Sequence, residues 1–477
     1  MKMKLLRSNR RALAHANMFV LLLTLSAGFA AAQSDNGQAP QETPQTVGAD
    51  SSSNATETYN PDTSGDRMMT PPPVSGQTYP IALGSQERSN FLRAGVSFTS
   101  AYSDNVLGGV SEHPVSDISY SVGPFIALDE TTTRMHALLT YAPGFTYYQK
   151  TSERNQADHN AAVEFEYRLS PHVTINARDS FMKTSNAFNQ PADFAPGGIV
   201  SGGAQGPNFS IIAPVADMLS NSGSAGISYQ FQLNDMVGAS GTFSNLHYPD
   251  QSQVPGLFDS SSQGGLAFYS HRVARSQYLG VTYAYERLLA YPTVGENKTE
   301  THAALAFYTF APTSSKFSFS LFGGPQYSDT TQPAPLPQLK SWNPAGGASL
   351  GWQAHSTTLA LSYEHIISSG GGLIGAVQLD SGTLSARQRI TRSLNASVAG
   401  GYSQNNVIGS EALGGQNGHS ISGSAFLQQM IGQHLSVQLG YTRVHQSYSN
   451  VQAISAAPDT NRESISIAYQ FSRPLGR

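Results

Sequence analysis

The residues that could catalyse a reaction are few in this sequence, and they are poorly placed for it. His419 and Ser420 adjoin Asn417-Gly418, a composition similar to the Ser/His/Asn set of a lipolytic enzyme. Neighbouring residues of a strand point to opposite faces, so His419 and Ser420 do not form a nucleophile–base pair. The spacing of membrane phospholipases, a His with a Ser two residues on followed by Asn-Gly, is absent. An Asp/His surface protease stays open, but nothing places such residues together. We predict that the chain is not an enzyme.

The sequence also gives no support for a metal or a cofactor. Its 13 histidines show neither HExxH nor another paired ligand spacing. Gly370-Gly-Gly372 lacks the Lys-Ser/Thr of a phosphate-binding loop, so we interpret it as a flexible turn. The chain has no cysteine, which excludes a disulfide framework and a lipid-modified cysteine.

Charged side chains that alternate with apolar ones are the remaining candidates. In the segment 163–178, Val163, Phe165, Tyr167 and Leu169 alternate with Glu164, Glu166 and Arg168 around a Ser170-Pro171 turn. A hairpin of this pattern has one apolar face and one charged face. In a soluble sheet the charges face water, whereas in a membrane barrel the apolar row faces lipid and the charges face a wet interior.

The elements that would position these residues are strands. From Phe91 onward the sequence shows no convincing helix and a long series of period-two segments. We predict about 18 strands (16 to 18), at 90–103, 117–129, 132–149, 156–169, 172–186, 221–233, 236–248, 262–271, 275–290, 298–310, 315–328, 343–353, 356–368, 376–390, 393–406, 418–431, 433–446 and 461–472. Most are long enough for a tilted membrane strand, which needs about 9–11 residues.

The connections between these strands alternate in length. Short turns such as 170–171, 234–235 and 354–355 are separated by long connections such as 104–116 and 187–220. Outer-membrane barrels have short periplasmic turns and longer outer loops, and an up-and-down barrel must keep this parity. A soluble sandwich or propeller has no reason to keep it. The pattern therefore predicts an all-β, transmembrane, up-and-down antiparallel β-barrel. Loop 187–220 is either a constriction inside the barrel or an external loop.

The composition agrees with a membrane barrel. Charged residues are 12% of the chain, about half of the usual share of about 25%. Hydrophobic residues are nevertheless only 39%, with 22 Tyr and 22 Phe. Aromatic residues gather near strand ends, as an interfacial girdle requires, at Tyr147/Tyr148, Tyr283/Tyr285, Tyr308/Phe310 and Tyr469/Phe471. No basic patch suggests nucleic acid.

We predict that the first 85 residues are a signal peptide followed by a linker. Residues 1–32 have the basic, apolar and small-residue order of a secretory signal peptide. Residues 33–85 are rich in Gln, Ser, Thr and Pro, which predicts a disordered periplasmic linker. We assign 86–477 to the barrel.

The chain resembles the bacterial outer-membrane proteins grouped as beta-barrel porin type 2. The resemblance rests on Tyr141-Ala-Pro-Gly-Phe-Thr-Tyr-Tyr148, on 160–171, and on Arg178-Asp-Ser-Phe181. It implies a role in exopolysaccharide or envelope export. Such barrels typically end on an aromatic residue; here Tyr469-Gln-Phe471 fits, but six more residues follow.

Together these observations predict a protein of the bacterial outer membrane. We expect a porin-like channel for small or sugar-like solutes, or an envelope-polymer export component; the alternative is a non-conducting adhesion or scaffold barrel. The expected partners are outer-membrane lipid and lipopolysaccharide, the outer-membrane assembly machinery, and a polysaccharide or small solute.

A set of charged residues is predicted to face the lumen. Its mixture of signs predicts weak ion preference, although for any single residue a structural salt bridge is the simpler interpretation. The set comprises Arg93, Glu164, Glu166, Arg168, Arg178, Glu300, His302, Glu364, Arg387 and Arg389.

Overall fold

The computed structural model describes residues 68, 90–108, 114–185, 211, 216–293, 295–312, 316–408, 416–451, 454 and 459–475. The predicted signal peptide at 1–32 lies outside these residues, as does the predicted linker at 33–85 apart from Met68. The described chain holds 18 strands and two short 3-10 helices, Ser152–Arg154 and Gln251–Gln253. In chain order the strands β1 to β18 are Phe91–Ser103, Asp117–Thr131, Met135–Tyr148, Gln156–Arg168, Val173–Thr184, Met218–Gln232, Asp235–His247, Asp259–Ala274, Gln277–Tyr291, Asn297–Phe310, Phe317–Thr331, Leu339–Gln353, Thr357–Ser368, Val377–Arg389, Leu394–Val407, Asn417–Ile431, Leu435–Tyr448 and Thr460–Pro474.

The strands close into one antiparallel barrel. Each strand pairs with its neighbours in sequence, and β1 pairs with β18 over 13 residues, from Phe91↔Pro474 to Ser103↔Arg462. Closure leaves no edge strand among the described residues, so each strand can exchange backbone hydrogen bonds with a neighbour on both sides, as hydrocarbon requires. The predicted up-and-down barrel of 18 strands is confirmed. No helix among the described residues is long and apolar enough to span a membrane.

Strand boundaries differ most from the prediction at β12. The sequence suggested a start at residue 343, beside Pro344, whereas the strand begins at Leu339. Pro344 lies directly opposite Pro325 of β11, and the ladder continues beyond this pair to Thr330↔Leu339. The two missing N–H donors fall at a single register position, so the prolines interrupt the ladder without ending it.

Connection lengths divide the barrel into two ends. Eight connections of two to six residues lie at the end where β1 begins, and nine connections of five to 33 residues lie at the other. Following barrel convention, we call these the periplasmic end and the outer end. Both ends of the wall sequence, Phe91 and Pro474, therefore lie at the periplasmic end.

The wall has an apolar outward face and a polar inward face. Along β4, Val163 and Phe165 are 45% and 37% exposed, while Glu164 and Glu166, which alternate with them, are half-buried. The same parity makes Ile465, Ile467, Tyr469 and Phe471 of β18 an exposed row. A closed barrel of this kind with an apolar outer band belongs in the bacterial outer membrane.

Candidate functional site: the lumen and its outer mouth

Hydroxyl groups line the inward face as hydrogen-bonded pairs across neighbouring strands. The inward positions carry Ser and Thr because small polar side chains fit a concave wet wall. Donor–acceptor distances are 2.6 to 2.9 Å in eight such pairs, which are Thr99–Ser466, Ser121–Thr146, Ser244–Ser262, Thr299–Thr330, Thr309–Ser320, Ser328–Ser341, Ser362–Thr383 and Ser403–Ser420. They form a neutral inward layer of groups that can both donate and accept hydrogen bonds, and twelve of these sixteen residues are at most 9% exposed.

Five residues of the predicted charged set lie on inward rows of β1, β4 and β5. Nε of Arg178 lies 3.2 Å from Oε1 of Glu164, its register partner on the next strand. Nε of Arg168 lies 3.7 Å from Oε1 of Glu166 on the same row of β4. Arg93 has the inward parity of β1. These groups lie in the periplasmic half of the wall.

Three further predicted residues lie on inward rows of β13 and β14. Glu364 follows the parity of Ser362, which is buried in a lumenal hydroxyl pair. Arg387 is the register partner of Thr358, and Arg389 donates from Nη2 to the backbone oxygen of His355 at 3.1 Å. The charges thus form two groups on separate parts of the wall.

The predicted lumen position is wrong for Glu300 and His302. On β10 the inward residues are the odd-numbered ones, with Thr301 and Phe307 each 2% exposed, so the even-numbered Glu300 and His302 face outward. Both lie close to the outer end of the strand. A charge there can lie beyond the hydrocarbon, so alternation of charge does not identify the lumen face at that level.

One inward ion pair was not predicted. Nε2 of His136 lies 3.2 Å from Oδ1 of Asp129, and both side chains are buried. The predicted strand ends at Asp129, whereas β2 continues to Thr131. His136 has the same parity as Leu138 and Thr140 on β3. That alternation could have predicted that His136 faces inward.

Tyr148 also departs from its predicted place. Tyr147 is 56% exposed and fits an outward girdle, but Tyr148, its neighbour in the strand, is 7% exposed and faces inward. Two successive residues cannot share a face of a strand.

The outer mouth contains an apolar core formed by loops and strand ends. Loop residues Ile211, Val254, Leu257, Leu373, Ile374, Val451 and Ile454 are at most 6% exposed and pack with inward strand residues Met182, Met218, Leu246, Val377, Leu379 and Tyr448. Connections 248–258 and 369–376, together with Ile211, Ala216, Val451 and Ile454 of the connections before β6 and β18, therefore contribute to the core in the barrel opening. For the loop predicted at 187–220, Ile211 and Ala216 belong to this core, and 186–210 and 212–215 lie outside the described residues.

Two hydrogen bonds join connection 248–258 to connection 369–376 across the mouth. The Tyr248 hydroxyl donates to the oxygen of Gly371 at 3.0 Å, and the Phe258 N–H donates to the oxygen of Gly372 at 2.8 Å. Burial raises the pKa of Tyr248, so its hydroxyl stays protonated and able to donate. We call these contacts and the apolar core the mouth contact.

Met68 is buried inside the periplasmic half of the barrel. It packs with Met236 and Tyr278 near the periplasmic ends of β7 and β9, and its N–H donates to Oε1 of Gln230 at 3.2 Å. The sequence signal for this was an apolar pair, Met68-Met69, within a polar stretch.

The rejected catalytic pair is separated as the strand geometry requires. Ser420 faces inward and bonds to Ser403, whereas His419 faces outward and packs against Tyr402 and His445. Among the residues that the structure describes, no cluster of three or more His, Asp or Glu side chains could hold a metal ion.

No family model matches the chain, and no curated protein matches it. Solved structures that resemble it include the outer membrane protein OpdK from Pseudomonas aeruginosa, 10% identical, covering 80% of this chain and 99% of that one, with a TM-score of 0.39. Acinetobacter baumannii OccAB4 is 9% identical, covers 82% and 100%, and has a TM-score of 0.39. The FrpB iron transporter from Neisseria meningitidis is 9% identical, covers 82% of each chain, and has a TM-score of 0.37. The sequence identity and the TM-score are both low, so the function below is argued from this chain's own residues.

Proposed function

We propose that this chain is a porin-like channel of the outer membrane for small neutral solutes rich in hydroxyl groups, such as sugars. The observation that carries the proposal is the inward lining of paired Ser and Thr hydroxyls. Each hydroxyl is both donor and acceptor, so a pair that opens can replace its hydrogen bond by one to a passing hydroxyl group.

The lumenal charges support a neutral solute. Glu164 and Glu166 are matched by Arg178 and Arg168 on the same wall segment. Matched charges give a weak net field, and a weak field discriminates little between anions and cations.

The mouth contact implies that passage is controlled at the outer end. A solute entering from outside meets the apolar core before it meets the hydroxyl lining. The connections at 248–258 and 369–376 must separate for the path to open, so the resting channel conducts rarely. Export of an envelope polymer, which the resemblance implied, would need the same separation.

Reconstitution of the folded barrel tests the proposal. In planar bilayers we expect single-channel openings that are infrequent and nearly non-selective between K⁺ and Cl⁻. In liposome swelling we expect uptake of mono- and disaccharides and slower uptake of charged solutes of equal size. Heat-modifiable migration on gels verifies that the protein is folded. If such protein gave no current and no swelling, the channel proposal would be contradicted.

The second candidate is a non-conducting scaffold or adhesion barrel, and the mouth contact is the observation that favours it. The discriminating experiment is to weaken that contact, for which the matched pair of glycine variants described in the Discussion is suitable. Continued absence of current after the contact is weakened would favour the scaffold.

A further inference from the structure

Four neighbouring strands carry a row of charged residues on their outward face near the outer end. Arg287 of β9, Glu300 of β10, Asp329 of β11 and Lys340 of β12 are successive register partners. Their outward parity follows from Tyr283 and Trp342, which share it and are 50% and 72% exposed. We call these four residues the charged row.

A row of rings lies directly beneath the charged row, on the side of the hydrocarbon. Tyr285, His302, Tyr327 and Trp342 are also successive register partners, each two residues from a member of the charged row. Ring centroids are 5.1 Å apart for Tyr285–His302, 6.4 Å for His302–Tyr327 and 5.2 Å for Tyr327–Trp342. Such rings mark the membrane interface, and Trp342 leaves a broad ring face exposed.

The depth of the charged row matches the headgroup layer. Arg287 is the eleventh residue of β9 and Glu300 the eleventh of β10, counted from the periplasmic end. A tilted strand crosses the hydrocarbon in about 9–11 residues, so both side chains reach the level of the lipid headgroups.

The charges of this patch leave one cation uncompensated. Nζ of Lys298 lies 3.3 Å from Oε1 of Glu300, and Nζ of Lys340 lies 3.6 Å from Oδ2 of Asp329. Oε1 of Glu300 also accepts from the Tyr285 hydroxyl at 3.3 Å. Among the described residues, the buried Nε of Arg287 has no hydrogen-bond partner. The patch thus carries three cations against two carboxylates, and an anionic ligand would balance the excess positive charge.

We propose that this patch binds a phosphorylated glycolipid of the outer leaflet. A phosphate group accepts from Arg287, Lys298 on the neighbouring strand β10 and Lys340 on β12 add positive charge on the same outward face, and a sugar ring lies against Trp342. Guanidinium and phosphate match in geometry and charge. Glu300 and Asp329 hold the two lysines in place.

Lipid retained by the purified, folded protein tests the proposal. Native mass spectrometry would follow protein in detergent exchanged against three probes: bis-phosphorylated lipid A, phosphatidylglycerol, and a neutral glycolipid. We expect selective retention of lipid A. Arg287→Gln should lower its apparent affinity about tenfold, the size of a charge-assisted hydrogen bond, and Trp342→Leu should lower it less.

Lys183→Gln is the matched control, since Lys183 is an outward cation near the outer end of β5 and lies outside the patch. It should retain lipid A as the unaltered protein does. Equal retention by Arg287→Gln, or equal loss in Lys183→Gln, would overturn the site. Equal retention of phosphatidylglycerol would overturn the glycolipid assignment, and complete displacement by inorganic phosphate would overturn the lipid assignment. Heat-modifiable migration verifies that each variant is folded.

Discussion

At the residue scale, the face on which a side chain lies determines what a charge there does. Glu164 on the inward row is matched by Arg178, whereas Val163 beside it is 45% exposed on the apolar outward row. Two residues adjacent in sequence therefore have environments as different as water and hydrocarbon.

This contrast predicts opposite outcomes for one substitution at neighbouring positions. Val163→Arg should destabilise the barrel by about 2–4 kcal/mol, the cost of a lipid-facing arginine near the bilayer midplane. Ala162→Arg, the matched control on the inward row, should cost much less because its side chain reaches the wet lumen. Equilibrium unfolding in urea from lipid vesicles measures both, and equal costs would show that the assigned faces are wrong.

The lumenal carboxylates should control ion preference. Glu164→Gln combined with Glu166→Gln leaves Arg178 and Arg168 unmatched, so the pore should shift toward anions. The reversal potential under a KCl gradient measures the shift. Glu130→Gln is the control, because Glu130 is exposed on the outward row of β2; a similar shift there would contradict a lumenal origin.

At the element scale, the outer connections decide whether the lumen is accessible. Gly372 has φ of +81°, and a Cβ there would lie 2.5 Å from a ring carbon of Tyr248 and 2.7 Å from the oxygen of Phe258. A side chain at this position therefore displaces connection 248–258.

We expect Gly372→Ala to weaken the mouth contact and raise the open fraction of the channel several-fold. Gly256→Ala is a closely matched control: Gly256 has φ of +82°, so an alanine bears the same backbone strain, but a Cβ there has no atom within 4 Å. Single-channel recording measures the open fraction. Equal behaviour of the two variants would show that strain, and not the contact, is responsible.

The wall was more predictable from sequence than the mouth. Period-two alternation is a local signal, and lipid on one face imposes it on every strand, which is why 18 strands could be counted. The contact of Tyr248 with Gly371 joins residues 123 positions apart through irregular loops, and no local pattern encodes it. Glu300 and His302 were misplaced because alternation marks the faces only within the hydrocarbon.

At the scale of the whole molecule, closure between β1 and β18 makes the wall continuous. Thr99 and Ser466 are register partners on the inward face, and their hydroxyls are 2.7 Å apart. The chain has no cysteine, so a pair introduced there has no competitor.

Thr99→Cys with Ser466→Cys should form a disulfide in the folded barrel under mild oxidation, since directly opposed Cβ atoms in an antiparallel pair approach the distance that a disulfide needs. The cross-linked protein should migrate differently from the reduced protein after heating. Thr99→Cys with Gln470→Cys, four residues out of register, is the control. Equal cross-linking of both pairs would contradict the closing register.

The pairing of β1 with β18 has a consequence for the order of the strands along the chain. Phe91 lies opposite Pro474, the Leu475 N–H donates to the oxygen of Asn90 at 2.9 Å, and the β1–β18 ladder is as long as that between β1 and β2. The geometry of the closed barrel thus does not distinguish the first strand from the others. A circular permutant that joins these ends and is cut within connection 292–296 would contain the same 18 ladders. The order of the strands along the chain is therefore not required to maintain the pairing of the finished barrel.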